Sequence, residues 1–240
     1  YNAINTLSNS IVVAFRPTLI KSYSCQDMPY IQQLYFSANK AILYLLCLVA
    51  MPLMLETEYV LQFWLGYSTP EIILFCRLYI IYTMVLTLHN PITIIMQATG
   101  KIRKYSLYVE SLTIMNIPVC WGLFILDCPS YTIFIVMIVL CLIAHNIRLV
   151  MLRKAVPELK LRSYYKHLIL PAFFILGITS MLELFLLQLP IAGFQRFGLI
   201  VISSVMVMSI LIYVWGFSEA ERKLLHSLIH KVVNKRQTVL

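Results

Sequence analysis

Seven stretches of the chain are apolar over a helical length: residues 2–23, 37–55, 71–99, 104–126, 130–152, 165–188 and 197–217. Each is close to or above the ~20 residues that span ~30 Å of hydrocarbon at about 1.5 Å per residue. Residues 131–144 are the most uniform, with Thr132 the one polar side chain besides Tyr131. The first stretch is the most polar, carrying Asn2, Asn5, Asn9 and Arg16. The third is too long to stand upright. His89-Asn90-Pro91 predicts a kink in it, because Pro91 removes a donor and crowds the preceding turn. After the last stretch, Leu224, Leu225, Leu228, Ile229, Val232 and Val233 recur on one helical face, behind a Ser218/Glu221 capping box. The pattern predicts an all-α polytopic membrane protein: seven transmembrane helices and a C-terminal amphipathic helix lying on the membrane.

Composition narrows the class in the same direction. Hydrophobic residues make up 60% and charged residues 12%, with a mean hydropathy of +0.83. A soluble fold carries about 25% charged residues, so this chain lacks the polar surface that water demands. The net charge is +9. Placing the cations along the chain explains it. Sixteen of the 19 Lys and Arg fall in four groups, in or close beside the connections between stretches one and two, three and four, and five and six, and after seven. The alternate connections hold Glu56, Glu58, Glu71 and Asp127, with Arg196 their one basic residue. Cations gather on the cytoplasmic side of membrane proteins. The residue 1 end is therefore expected outside and the C-terminus inside, and a nucleic-acid partner loses its support. The six cysteines form no CxxC and read as small buried hydrophobes. No metal site or cofactor is expected. The chain starts at Tyr1 with no leader-like segment, and is expected to be the C-terminal part of a longer protein.

Polar residues inside hydrocarbon are costly and therefore informative. Asn2, Asn5, Asn9 and Arg16 share one helical face. So do Thr83, Thr87, Asn90, Thr93 and Gln97, and again Ser106, Glu110, Thr113 and Asn116. His145, Asn146 and Arg148 follow near the inner end of the fifth stretch. Such stripes either line a hydrophilic cavity or bind helix to helix. Glu110 and Arg148 are placed to form an ion pair, and Arg77 to meet an anionic group or Glu183. Pro17, Pro52, Pro91, Pro118 and Pro171 each fall in or beside a different stretch, as in the bent helices of transporters. No nucleophile, metal or nucleotide motif appears. The chain is not expected to be an enzyme.

The segment VLQFWLGYSTPEIILFCRLYIIYTMVLTLHNPITIIMQATGKIRKY (60–105) places an outer-loop WLG before a long helix ending in Gln97-Ala98-Thr99-Gly100-Lys101. The segment FRPTLIKSYSCQDMPYIQQLYFSANK (15–40) has a proline followed by a lysine, a tyrosine and an acidic turn. Both resemble the polysaccharide and O-antigen flippases (Wzx type) of the multidrug/oligosaccharidyl-lipid/polysaccharide exporter superfamily, over roughly residues 10–155. That family has fourteen helices with both termini cytoplasmic, so its last seven start outside and end inside, as the charges here predict. The resemblance implies that residues 1–155 form five helices of the C-terminal transport lobe. Residues 156–217 would supply two additional helices, and 218–240 a cytoplasmic amphipathic helix and tail.

The resemblance further implies flipping of an undecaprenyl-diphosphate-linked oligosaccharide by alternating access, in the bacterial cytoplasmic (inner) membrane. Expected partners are that lipid-linked oligosaccharide, membrane lipid and polysaccharide-assembly enzymes. Arg16, Arg77 and Arg148 are expected to contact the diphosphate. Asn9, Asn90, Gln97 and Asn116 are expected to bind sugar hydroxyls, and Glu110 is a candidate for ion coupling. The alternatives are a drug exporter of the same superfamily, a membrane polymerase or O-acyltransferase, and a non-transporting assembly subunit. The exporter favours an acidic cavity, and the enzyme needs a reactive pair at the membrane face.

Overall fold

Asp27 starts the second helix by accepting the backbone N–H of Tyr30 at 3.2 Å, with Pro29 in the first turn, where its missing donor costs nothing. A computed structural model describes residues 2–25, 27–100, 102–157, 161–191, 193–217 and 221–222. Among these, every regular element is helical. In order they are α1 (Asn2–Ser24), α2 (Met28–Leu55), α3 (Thr57–Leu65), α4 (Pro70–Thr87), α5 (Asn90–Ala98) and α6 (Ile102–Ile114). Then come α7 (Asn116–Ile125), α8 (Thr132–Ala155), α9 (Leu161–Tyr164), α10 (Leu170–Leu186) and α11 (Gly193–Leu211).

Proline decides where the long rods break. Pro91 sits in the first turn of α5, and the chain leaves helical pairing at Leu88–His89, where the kink was expected. Pro118 lies just past the break at Met115 that separates α6 from α7. A π-turn, Tyr165–Ile169, precedes Pro171 and widens the helix just where the ring would otherwise clash. Pro52 lies one turn before α2 gives way to α3 at Glu56, while Pro17 is carried inside an unbroken α1.

Counted across these breaks, six helical units among the described residues are long and apolar enough to cross a membrane: Met28–Leu55, Pro70–Ala98, Ile102–Ile125, Thr132–Ala155, Arg162–Leu186 and Gly193–Gly216. The chain is thus a helical, multi-pass membrane protein by length and composition. α1 is 23 residues long but does not join that set, because its polar positions hold its hydropathy down. The structure therefore supports six spans, and the expected seventh rests on α1.

α2 is the centre of the bundle. It packs against α1, α3, α4, α5, α10 and α11. Sixty-one percent of its most apolar stretch is buried, against 6% for the α6–α7 unit. Tyr35 and Ile42 of α2, Ile92 and Met96 of α5, Leu149 and Leu152 of α8, Tyr164, Leu168 and Met208 are all nearly inaccessible. One apolar core thus runs through residues on both sides of position 155. The outward faces of α7, α10 and α11 are apolar too, with Ile117, Trp121, Phe173, Phe185 and Ile202 largely exposed. Lipid is the solvent that suits them.

Since lipid tails are as apolar as leucine, helix association needs shape and polar contacts. Gly216, at the end of the π-turn Ile212–Gly216 that follows α11, lets the chain approach α2 so closely that a Cβ there would sit 2.9 Å from the Tyr44 ring. The hydroxyl of Ser204 on α11 donates to Glu183 Oε1 on α10, and both residues are fully buried. Arg196 Nη2 donates to Glu56 Oε2 at 3.0 Å, while its Nε lies 2.7 Å from Oε1, off the hydrogen-bond axis. Nearer the middle of α2, Lys40 Nζ donates to Glu221 Oε2 at 2.8 Å and Ser37 to Oε1 at 3.0 Å. The carboxylate expected in a capping box is thus engaged across the bundle. Ser218 and the amphipathic segment, 223–236, lie outside the described residues.

Candidate functional site

The inward face of α8 carries Cys141, Ala144, His145, Arg148, Leu149 and Leu152, a helical stripe of buried positions. Two of these are polar and set deep in the bundle. Arg148 is 6% exposed, and neither its Nε nor its Nη1 has a hydrogen-bond partner. His145 is 5% exposed; its Nε2 pairs with the Tyr164 hydroxyl at 3.0 Å while its Nδ1 is unpartnered. His89, at the α4–α5 break, lies within electrostatic reach of both, and its Nδ1 is buried without a partner. Tyr105 of α6 completes the cluster. Its hydroxyl pairs with Thr93 at 2.9 Å, and the Arg148 guanidinium is close enough to interact with it.

A buried polar group left unpaired costs about 1–3 kcal/mol, and more for a charge. Four such nitrogens on Arg148, His89 and His145 gather in one region. The described ion pairs there and elsewhere do not include Arg148, so the expected Glu110–Arg148 pair does not form. Glu110 is exposed on α6 instead. Arg148 opens onto a hollow of about 70 Å³ between α4, α6, α7 and α8, with Tyr82, Thr113, Asn116 and Cys141 in its wall. That space admits a few water molecules. It does not admit a sugar in this conformation.

The remaining expected site residues divide into three groups. Asn116 shares the hollow with Arg148, and its Oδ1 also accepts the Cys120 thiol at 3.4 Å. Arg16 and Gln97 meet each other, Nη2 donating to Oε1 at 3.0 Å, and Asn90 Nδ2 donates to the buried Ser8 hydroxyl at 3.1 Å. These two contacts join the polar stripe of α1 to that of α5. Asn9 lies exposed on α1, and the side chains of Asn2 and Asn5 lie outside the described ones. Arg77 stands apart from all of them. Its Nε donates to the Met54 carbonyl at 2.9 Å, and its Nη2 reaches toward that of Leu55 at 3.5 Å. It satisfies carbonyls left open where α2 ends and does not meet Glu183, whose partner is Ser204.

His89, His145, Tyr105 and Tyr164 were not among the expected site residues. The spacing of His145 three positions before Arg148 puts both on one face, a signal present in the sequence. The approach of His89 and Tyr105 depends on the fold alone. Among the described residues, no three His, Cys, Asp or Glu side chains come together as metal ligands would. Within the cluster Arg148 alone borders the hollow, where its guanidinium and the Asn116 amide are suited to an anion or to hydroxyl and water oxygens. No family model, no curated protein and no solved structure matches the chain.

Proposed function

We propose that this chain is part of a bacterial inner-membrane transporter that moves an anionic, lipid-linked oligosaccharide between leaflets by alternating access. The observation that carries the reading is Arg148: a guanidinium buried in an apolar bundle, two of its nitrogens unpaired, at the wall of a hollow. A diphosphate brings charge that matches it, and Asn116 beside it offers a partner for a sugar hydroxyl. Moving such a headgroup through hydrocarbon without a polar replacement for water is prohibitive.

The hollow must open for this, and the breaks at His89 and Met115 lie in the helices that bound it. The basic ends face the cytoplasm in this reading, with the C-terminus inside. The resemblance over residues 10–155 supports the substrate class. No bond is made or broken, so no catalytic residue is required.

The test is leaflet exchange of a fluorescent diphosphate-linked oligosaccharide by the complete transporter in proteoliposomes. Arg148→Gln is expected to reduce the exchange rate at least tenfold, equivalent to about 1.4 kcal/mol. Arg77→Gln is expected to leave it within twofold, because Arg77 caps a helix end. Exchange undiminished in Arg148→Gln would refute the assignment.

A further inference from the structure

Where α5 turns into α6, beside the C-terminal end of α8, the surface opens into a pocket of about 450 Å³. Arg103, Lys104 and Lys154 line it together with Met96, Met151 and Ala155. Among the described residues, its lining holds three cations and no carboxylate. All three cations are exposed, and none has an ion pair or side-chain hydrogen bond among the described residues. Arg103 and Lys104 also head a second, shallower groove of about 650 Å³ that runs along α6 past Ser106, Leu107, Ser111 and Ile114. Leu107 and Ile114 are 68% and 66% exposed, one helical face apart from the packing against α8. Cationic head and apolar trough are continuous, because the same two residues belong to both.

We infer that this junction binds an anionic phospholipid, its phosphate held by Arg103, Lys104 and Lys154 and one acyl chain lying along the α6 groove. The charge fits a phosphate that lacks a compensating ammonium. The position fits as well: the cations sit at the end of membrane-spanning helices, at headgroup depth, while Leu107 and Ile114 descend toward the hydrocarbon. Glu110 lies in the groove seven residues beyond Arg103, about 10 Å along the helix. Its carboxylate bars a second anion from the trough, so one headgroup binds at the basic end. The site is separate from the Arg148 hollow and does not rest on the transport reading.

Native mass spectrometry of the full chain, with phosphatidylglycerol, phosphatidylcholine and inorganic phosphate as competing probes, decides it. Phosphatidylglycerol is expected to be retained at least tenfold more than phosphatidylcholine, with millimolar inorganic phosphate displacing little of it. Each cation near a membrane surface contributes about fivefold, so Arg103→Gln/Lys104→Gln/Lys154→Gln is expected to weaken retention on the order of 100-fold. Arg153→Gln/Arg162→Gln/Lys166→Gln, which removes as much charge nearby, is expected to leave it within fivefold. Should the triple variant fail to fold, Lys154→Gln alone carries the test at about fivefold. Leu107→Gln, which removes apolar surface without adding charge, should weaken the phospholipid without altering inorganic phosphate binding. Equal losses in both triple variants, equal retention of the two lipids, or displacement by free phosphate would overturn the proposal. So would closure of the groove by a second copy of the chain, seen as a lipid-independent dimer.

Discussion

Replacing Arg148 with methionine should make the protein more stable and less active. The side chain is 6% exposed, and two of its nitrogens find no partner. Unpaired buried groups cost about 1–3 kcal/mol each. Because both sit on one guanidinium, their costs overlap, and about 2 kcal/mol is a fair sum. Methionine has a similar length and flexible torsions, so the space closes without a large void. What is lost is the interaction with Tyr105, whose hydroxyl keeps its bond to Thr93. The net gain is then about 1–2 kcal/mol, or a rise in Tm of roughly 2–8 °C for a chain of this size. Thermal unfolding of the purified protein in detergent, followed by tryptophan fluorescence from Trp64, Trp121 and Trp215, measures it. Groups that a fold retains at a cost to its own stability are the ones that a function needs. A fall in Tm of more than 2 °C in Arg148→Met would mean that the guanidinium is a structural tie, and the site argument would collapse.

Glu56, 1% exposed, relies on Arg196, which is itself a third exposed. Arg196→Met should cost about 2–3 kcal/mol, the low side of a buried pair because solvent screens the arginine. Adding Glu56→Gln should restore at least half of that, and strict additivity in the double-mutant cycle would show that the two are uncoupled. Orientation can be read from native cysteines: Cys25 follows α1 at a basic end, Cys128 sits between α7 and α8 at an acidic end. A membrane-impermeant maleimide should label Cys128 in intact cells and Cys25 only after permeabilisation; the reverse order would invert the topology.

The polar stripe of α5 illustrates how far pattern alone reaches. Asn90 and Gln97 lie on one face by spacing, and the structure turns that face toward α1, where Ser8 and Arg16 receive it. Periodicity identifies a face but not its neighbour, so it does not separate a cavity wall from a helix seam. Arg77 shows the same limit. Its depth in the span marks it as costly, yet its partners are carbonyls at the end of α2, which carry no side-chain signature.

Hydrocarbon-scale apolar runs, alternating charge and five prolines were enough to predict long helices, the kink at His89 and the membrane as solvent, because these follow from local propensity and desolvation. Tertiary structure alone decided that His89 and Tyr105 come within reach of Arg148, that Arg148 and Asn116 share one small hollow, and that Arg16, Asn90 and Gln97 stitch helices elsewhere. A side chain's cost in the membrane is set by its own chemistry, whereas its partner is set by how separate helices pack.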